Sequence, residues 1–246
     1  MTKILFHVDT DLAAMLFWFQ ADSINNQYRK ADESMKKRIS LFLVILMLVS
    51  LGCVSFAEGA LDVVGTVDGQ IYTSKTLRLR AEFPEDWVLL SDEQIAAEME
   101  FPDGYNTREG LARLLEEYYG TCALSAESTD GSKANLNLMI QDTFSPDILS
   151  EQDFYDVSVD SLPETLTNQG YRNVTVKQGE FILKDAENKP VGTHVMAVVS
   201  AEIGDITLCE YTVFIKEDHY VGILNLIAPS VETADQMLGF FSALSA

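Results

Sequence analysis

Apolar and polar residues alternate from Gln70 to Arg80 through Tyr72, Leu77 and Leu79, which predicts a half-buried strand. Phe83-Pro84-Glu85-Asp86-Trp87 turns the chain into a short strand, Val88-Leu89-Leu90. Ser91 and Gln94 read as a capping box, so a helix is expected from Asp92 to about Glu100. Asn106 and Glu109 repeat the device and open a second helix. Leu111, Leu114, Leu115 and Tyr118 share one face of it, and Gly120 is its expected stop. Cys122–Ser128 and Ala134–Thr143 then read as two strands of a hairpin around Thr129-Asp130-Gly131-Ser132.

Ser150 caps a longer helix expected to end at Gly170, with Phe154, Val157, Leu162 and Leu166 as its buried stripe; Pro163 within it predicts a kink or a split. Four strands follow: Tyr171–Lys184, Pro190–Glu202, Ile206–Lys216 and Tyr220–Ile227. The turns at Asn188-Lys189, Gly204-Asp205 and Asp218-His219 predict an antiparallel meander. Pro229-Ser230 is expected to cap a last helix, Val231–Leu244. The pattern predicts an α+β fold built on an antiparallel β-sheet. With no internal repeat or second linker, residues 70–246 are read as one domain.

A different pattern occupies the start of the chain. Met35-Lys36-Lys37-Arg38 is a basic n-region, Ile39 to Gly52 is an almost unbroken apolar run, and Ser55-Phe56-Ala57 offers small residues to a signal peptidase. Residues 35–57 therefore read as a signal peptide cleaved between Ala57 and Glu58, and residues 58–69 as a linker. Two other readings stay open: an uncleaved membrane anchor over Ile39–Ala57, and a lipoprotein modified at Cys53, although Ser50 stands where such signals carry Leu. Residues 1–34 read as an over-long N-terminal extension, with Met35 the true start. The expected location is outside the cytoplasm, at the cell envelope or secreted, and membrane-anchored if the segment is not cleaved.

Charge sharpens the choice of partners. Beyond Ala57 there are 11 Lys and Arg against 33 Asp and Glu, so this portion carries −22 and the whole chain −21. Phosphate binding needs Lys and Arg to displace counterions, which excludes nucleic acid as a partner class. Anionic lipid surfaces repel such a domain too, so no stable membrane contact is expected after signal cleavage. Cys122 and Cys209 are the cysteines left beyond Ala57. Export permits a bridge between them, and the separation of their α-carbons decides between a bridge and two buried thiols.

The Phe83-Pro84-x-x-Trp87 element, the polar hairpin leading into Asn135-Leu136-Asn137-Leu138, the helix end at Gly170-Tyr171, the four late strands and the C-terminal helix together resemble the PsbP-like α/β/α sandwich family. The resemblance covers about Gln70 to Ala246. Members include a lumenal photosystem II subunit, a nuclear partner of a small GTPase and many exported bacterial proteins of unassigned role. It implies an α/β/α sandwich, an antiparallel β-sheet with helices on both faces, and a non-enzymatic binding or assembly domain, and it carries over no partner-contact residue.

Candidate chemistry adds little. His194 and His219 have no metal-ligand spacing, no Gly-x-Ser-x-Gly elbow is present, and Asp103-Gly104 and Asp130-Gly131 lack the ligand alternation of a calcium loop. His219 is expected in a solvated turn and His194 on a half-exposed strand face. Trp87, Tyr118, Tyr119, Tyr211 and Tyr220 fit a core better than a ligand groove, and Asn135 and Asn137 read as solvent-side residues or a polar patch against a helix end. No cofactor, metal or catalytic residue is expected. The favoured function is a non-enzymatic adaptor domain for a protein or peptide at the cell envelope. A small-ligand or cation carrier is the alternative, and a hydrolase with an unrecognised site is the third reading.

Overall fold

The structure is a computed structural model that describes residues 59–147, 149–204 and 206–244; the apolar leader, Cys53 and the Ala57–Glu58 cleavage position lie outside them. Among the described residues no helix is long and apolar enough to cross a membrane.

The stretch expected as a linker carries structure: helix α1 (Ala60–Val64) and strand β1 (Thr66–Asp68). Val63 and Val64 are buried, which anchors the segment to the core. The expected strand from Gln70 to Arg80 is instead a hairpin of β2 (Ile71–Ser74) and β3 (Leu79–Glu82). The turn between them is held by α1. The Asp62 carbonyl accepts from the amides of Lys75 and Thr76, and Ser74 Oγ donates to Val63 O at 2.7 Å.

Strand β4 (Trp87–Leu89) leads into helix α2 (Asp92–Glu98), where Ser91 and Gln94 form the expected capping box. Helix α3 (Arg108–Tyr118) starts one residue later than the Asn106 cap predicts, because Thr107 accepts from Gly110 N. Tyr119 ends it in the left-handed conformation, at φ 61, and Gly120 already belongs to the next strand. A Cβ at Gly110 would lie 2.7 Å from the Tyr105 Cα, so glycine is required where the preceding loop crosses this helix.

Strands β5 (Gly120–Ser128) and β6 (Asn135–Asp142) form the expected hairpin, and α4 (Glu151–Asn168) follows on a Ser150–Asp153 capping box. It runs unbroken through Pro163. The meander is β7 (Arg172–Lys184), β8 (Pro190–Ile203), β9 (Ile206–Glu217) and β10 (Tyr220–Ala228). The last helix, α5, covers only Val231–Leu238, and β11 (Phe241–Ala243) replaces its expected second half. Phe241 and Ala243 bury with period two while Ser242 does not, and they pair with β3.

Seven strands make an antiparallel sheet in the order β4-β5-β6-β10-β9-β8-β7, and β1-β2-β3-β11 make a smaller one. On the first face of the large sheet, Leu138, Leu224 and Val213 pack with Tyr72 and Leu79 of the small sheet, Leu111 of α3 and Met237 of α5. On the second face, Ile95 of α2 and Phe154 of α4 cover Met139, Ile223 and Phe214. Leu162 and Leu166 continue that cover over Val199 and Ile227. Helices thus lie on both faces, as the family resemblance implies. Cys122 and Cys209 are free thiols in the cores of opposite faces, so they form no bridge. Burial pushes their thiols up to about 12 and about 11, which leaves both as inert neutral packing groups.

Candidate binding surface

Three chain reversals meet at one end of the large sheet: the exit of α3 into β5, the segment after β6, and the β9–β10 turn. Neighbouring strands bring them together, and backbone bonds lock them. Asp142 N donates to Tyr119 O at 2.9 Å, and Thr143 N and Oγ1 donate to His219 O at 2.7 and 2.8 Å. Each reversal presents aromatic rings. Tyr119 and Phe144 meet edge to face with centroids 4.3 Å apart, and His219 lies on Tyr220 at 4.1 Å.

Phe144 is 63 % exposed, the highest value among the exposed large hydrophobic residues that the structure describes. Its backbone sits at φ 64 and that of Tyr119 at φ 61, a region that a bulky side chain enters at a cost of about 1–3 kcal/mol. Phe144 N donates to Asp142 Oδ1 at 2.7 Å, which holds the reversal. The ring packs on Tyr119 on one side only and leaves most of its apolar surface open, on backbone that carries strain. Around the rings the charge is negative. Burial first, and then the carboxylates of Asp142, Glu116 and Asp218, raise the Tyr220 hydroxyl above its ordinary range. His219 Nδ1 and Asp218 Oδ2 lie 2.8 Å apart.

Beside this end the large sheet opens. The β8–β9 pairing stops at Met196↔Val213, while β8 remains paired to β7 as far as Pro190. Glu151, in the first turn of α4, puts its carboxylate into the gap. Oε1 accepts from Lys216 N at 2.9 Å and lies 2.8 Å from His194 Nδ1, and Oε2 accepts from Val195 N at 3.0 Å. Both strand amides would otherwise lack an acceptor, so the Glu151–His194 pair is a clamp on the sheet. His194, expected half exposed, has a side chain only 11 % exposed.

The second face carries a buried polar stripe. Register places Asn137, Asn225 and Thr212 side by side on β6, β10 and β9, and Glu210 follows two residues along β9. All four are buried. Asn225 Nδ2 donates to Asn137 Oδ1 at 3.0 Å, Thr212 Oγ1 donates to Glu210 Oε1 at 3.3 Å, and Asn225 Oδ1 has no hydrogen-bond partner among the described residues. Asn137 is therefore an interior residue and not the solvent-side one its strand alternation suggests. Alternation identifies the face of a strand but not what covers it.

The remaining sequence candidates scatter. Trp87 and Tyr211 are core residues, whereas Tyr119 and Tyr220 reach the aromatic end. Asp130 caps its own turn: the Ser128 hydroxyl and the Ser132 amide donate to it and hold its carboxyl at about 2. Asp103-Gly104 is also a turn, with Gly104 at φ 93. Among the described residues no group of three His, Cys, Asp or Glu side chains could hold a metal ion. Sequence reading missed Phe144. The available signal was a large apolar residue inside Asp142-Thr143-Phe144-Ser145-Pro146-Asp147, a polar segment between a strand end and a helix cap.

The layers define an α+β protein built on a seven-stranded antiparallel sheet with helices on both faces. No family model matches the chain, and no curated protein matches it. It is similar to the solution structure of cyanobacterial PsbP (CyanoP) from Synechocystis sp. PCC 6803, with 12 % identity and a TM-score of 0.44 over 73 % of this chain and 98 % of that one. This likeness is to the same family that the Phe83-Pro84-x-x-Trp87 element resembles. At such low identity it assigns no activity and no residue role.

Proposed function

We propose that this chain is a non-enzymatic binding domain that engages a protein or peptide partner at the cell envelope through the aromatic end of its large sheet. The observation that carries this reading is Phe144, an exposed ring held outward on left-handed backbone and backed by Tyr119. Exposed aromatics on a rigid frame supply contact area at little entropic cost, as the anchors of binding surfaces do. The envelope location rests on the leader-like segment before Ala57.

A photo-reactive amino acid at position 144 tests the proposal, with Ile182, exposed on β7, as the control position. The expected outcome is an adduct from 144 and none from 182. The adduct protein, once purified, should bind the wild type and not Phe144→Gly. No adduct at 144, the same adduct from both positions, or equal binding to the variant would end this reading.

A second reading draws on the stripe of Asn137, Asn225, Thr212 and Glu210, whose buried oxygens suit a small polar ligand or a cation. Melting temperatures with calcium, potassium and polar metabolites test it. A rise that Glu210→Gln abolishes supports the carrier, and unchanged melting throughout removes it.

A further inference from the structure

We propose that the aromatic end receives a lysine or arginine side chain from a basic segment of its partner. The inference deepens the binding reading above and rests on it. Three features converge on a cation. Rings attract positive charge through their faces, and two ring pairs, Tyr119–Phe144 and His219–Tyr220, stand on adjacent reversals. The carboxylates of Glu116, Asp142 and Asp218 are close enough to act on the Tyr220 hydroxyl, and among the described residues none of them pairs with a lysine or arginine. The C-terminus of α3 points its negative end here, and its last turn holds no basic residue.

The one lysine beside these reversals, Lys216, pairs across the sheet with Val221, but its Nζ is buried and acts on Asp153 at the start of α4. Residues 116–121, 141–147 and 217–221 contain no Lys or Arg. Arg113, the nearest arginine along the chain, sits over the Tyr105 ring at 4.9 Å and pairs with Glu117. That contact shows the same chemistry satisfied within the chain one helical turn away. An anionic or purely apolar partner would have to bury three carboxylates without compensation, so the rim selects for positive charge.

The test uses the purified full chain and two labelled peptides with Gly-Ser spacers, one bearing lysines and one bearing glutamines at the same positions. Anisotropy titration at low salt should show the lysine peptide binding at least about tenfold more tightly, with affinity falling as salt rises. Phe144→Gly should weaken it by about tenfold while the melting temperature holds or rises, since glycine occupies φ 64 without strain. Glu116→Gln with Asp218→Asn should weaken it similarly. Glu187→Gln with Glu232→Gln, exposed carboxylates outside these reversals, should not. Equal affinity for both peptides overturns the inference. So does full binding by Phe144→Gly, or an equal loss in the Glu187/Glu232 variant, because either result reduces the effect to the net charge of the molecule. A neutral or acidic partner that crosslinks at 144 and needs Phe144 would sink the inference and leave the binding function standing.

Discussion

Glu210 lies fully inside the second face of the large sheet, where desolvation raises its carboxyl from 4.5 to about 7 and the Thr212 hydroxyl opposes the shift. An unfolded chain releases this proton near 4.5, and the folded one holds it until about 7. The stability that protonated Glu210 contributes is complete below the lower value and is lost as pH rises through the upper one, a difference of about 3 kcal/mol. Glu210→Gln, which cannot ionise, should match the wild type at pH 4 and exceed it by about 1–3 kcal/mol at pH 8 in urea denaturation. A wild type that is no weaker at pH 8 than at pH 5 would disprove a buried ionising Glu210. Glu151 is a carboxylate with the opposite role, because it accepts from two strand amides. Glu151→Ala should cost about 2–4 kcal/mol, more than an exposed helix-start substitution, since it leaves Val195 N and Lys216 N without acceptors. Neither role can be read from sequence. Glu151 lies 44 and 65 positions from its two amide partners, and an acidic residue after a helix cap is ordinary.

Element boundaries follow local chemistry wherever that chemistry is complete. The Ser91–Gln94 box and the Ser150 cap start their helices as the sequence predicts, and the structure adds Asp153 as the partner of Ser150, because a cap is formed by residues three apart. The C-terminal helix was misread for the opposite reason. Gly239 is a helix-stopping residue and caps the helix here, although the apolar Phe240, Phe241 and Leu244 extend the helical pattern past it. Beyond Gly239, β3 offers an edge, and pairing with it makes Phe241–Ala243 a strand. Arg108 is the clearest joint between elements. A bulge between Cys122 and Leu124 frees the Ala123 carbonyl, which accepts from Arg108 Nη1 at 2.6 Å, while Arg108 Nη2 holds Asp92 Oδ1 at 2.5 Å. One guanidinium thus joins the starts of α2 and α3 to β5. Lysine has no fork to span both acceptors, so Arg108→Lys should cost about 1–3 kcal/mol in thermal denaturation. A variant with wild-type stability would show that the joint is incidental.

The whole molecule carries −21, and its surface carboxylates repel one another in every folded arrangement. Raising sodium chloride from 10 to 300 mM should therefore raise the melting temperature by about 2–6 °C, and a fall would mean that attractive ion pairs dominate instead. This same field draws cations towards the protein without fixing where on its surface they bind. Periodicity, caps and turn residues determined the order and kind of most elements and the α+β class, because each depends on residues within a turn or a strand pair. The aromatic end, the Glu151 clamp, the burial of Asn137 and Glu210 and the separation of the two cysteines were decided only by tertiary structure. Each of them depends on strands and reversals far apart in the chain becoming neighbours in the sheet. Alternation along one strand specifies which side a residue faces, but the elements packed against that side are specified by the fold as a whole.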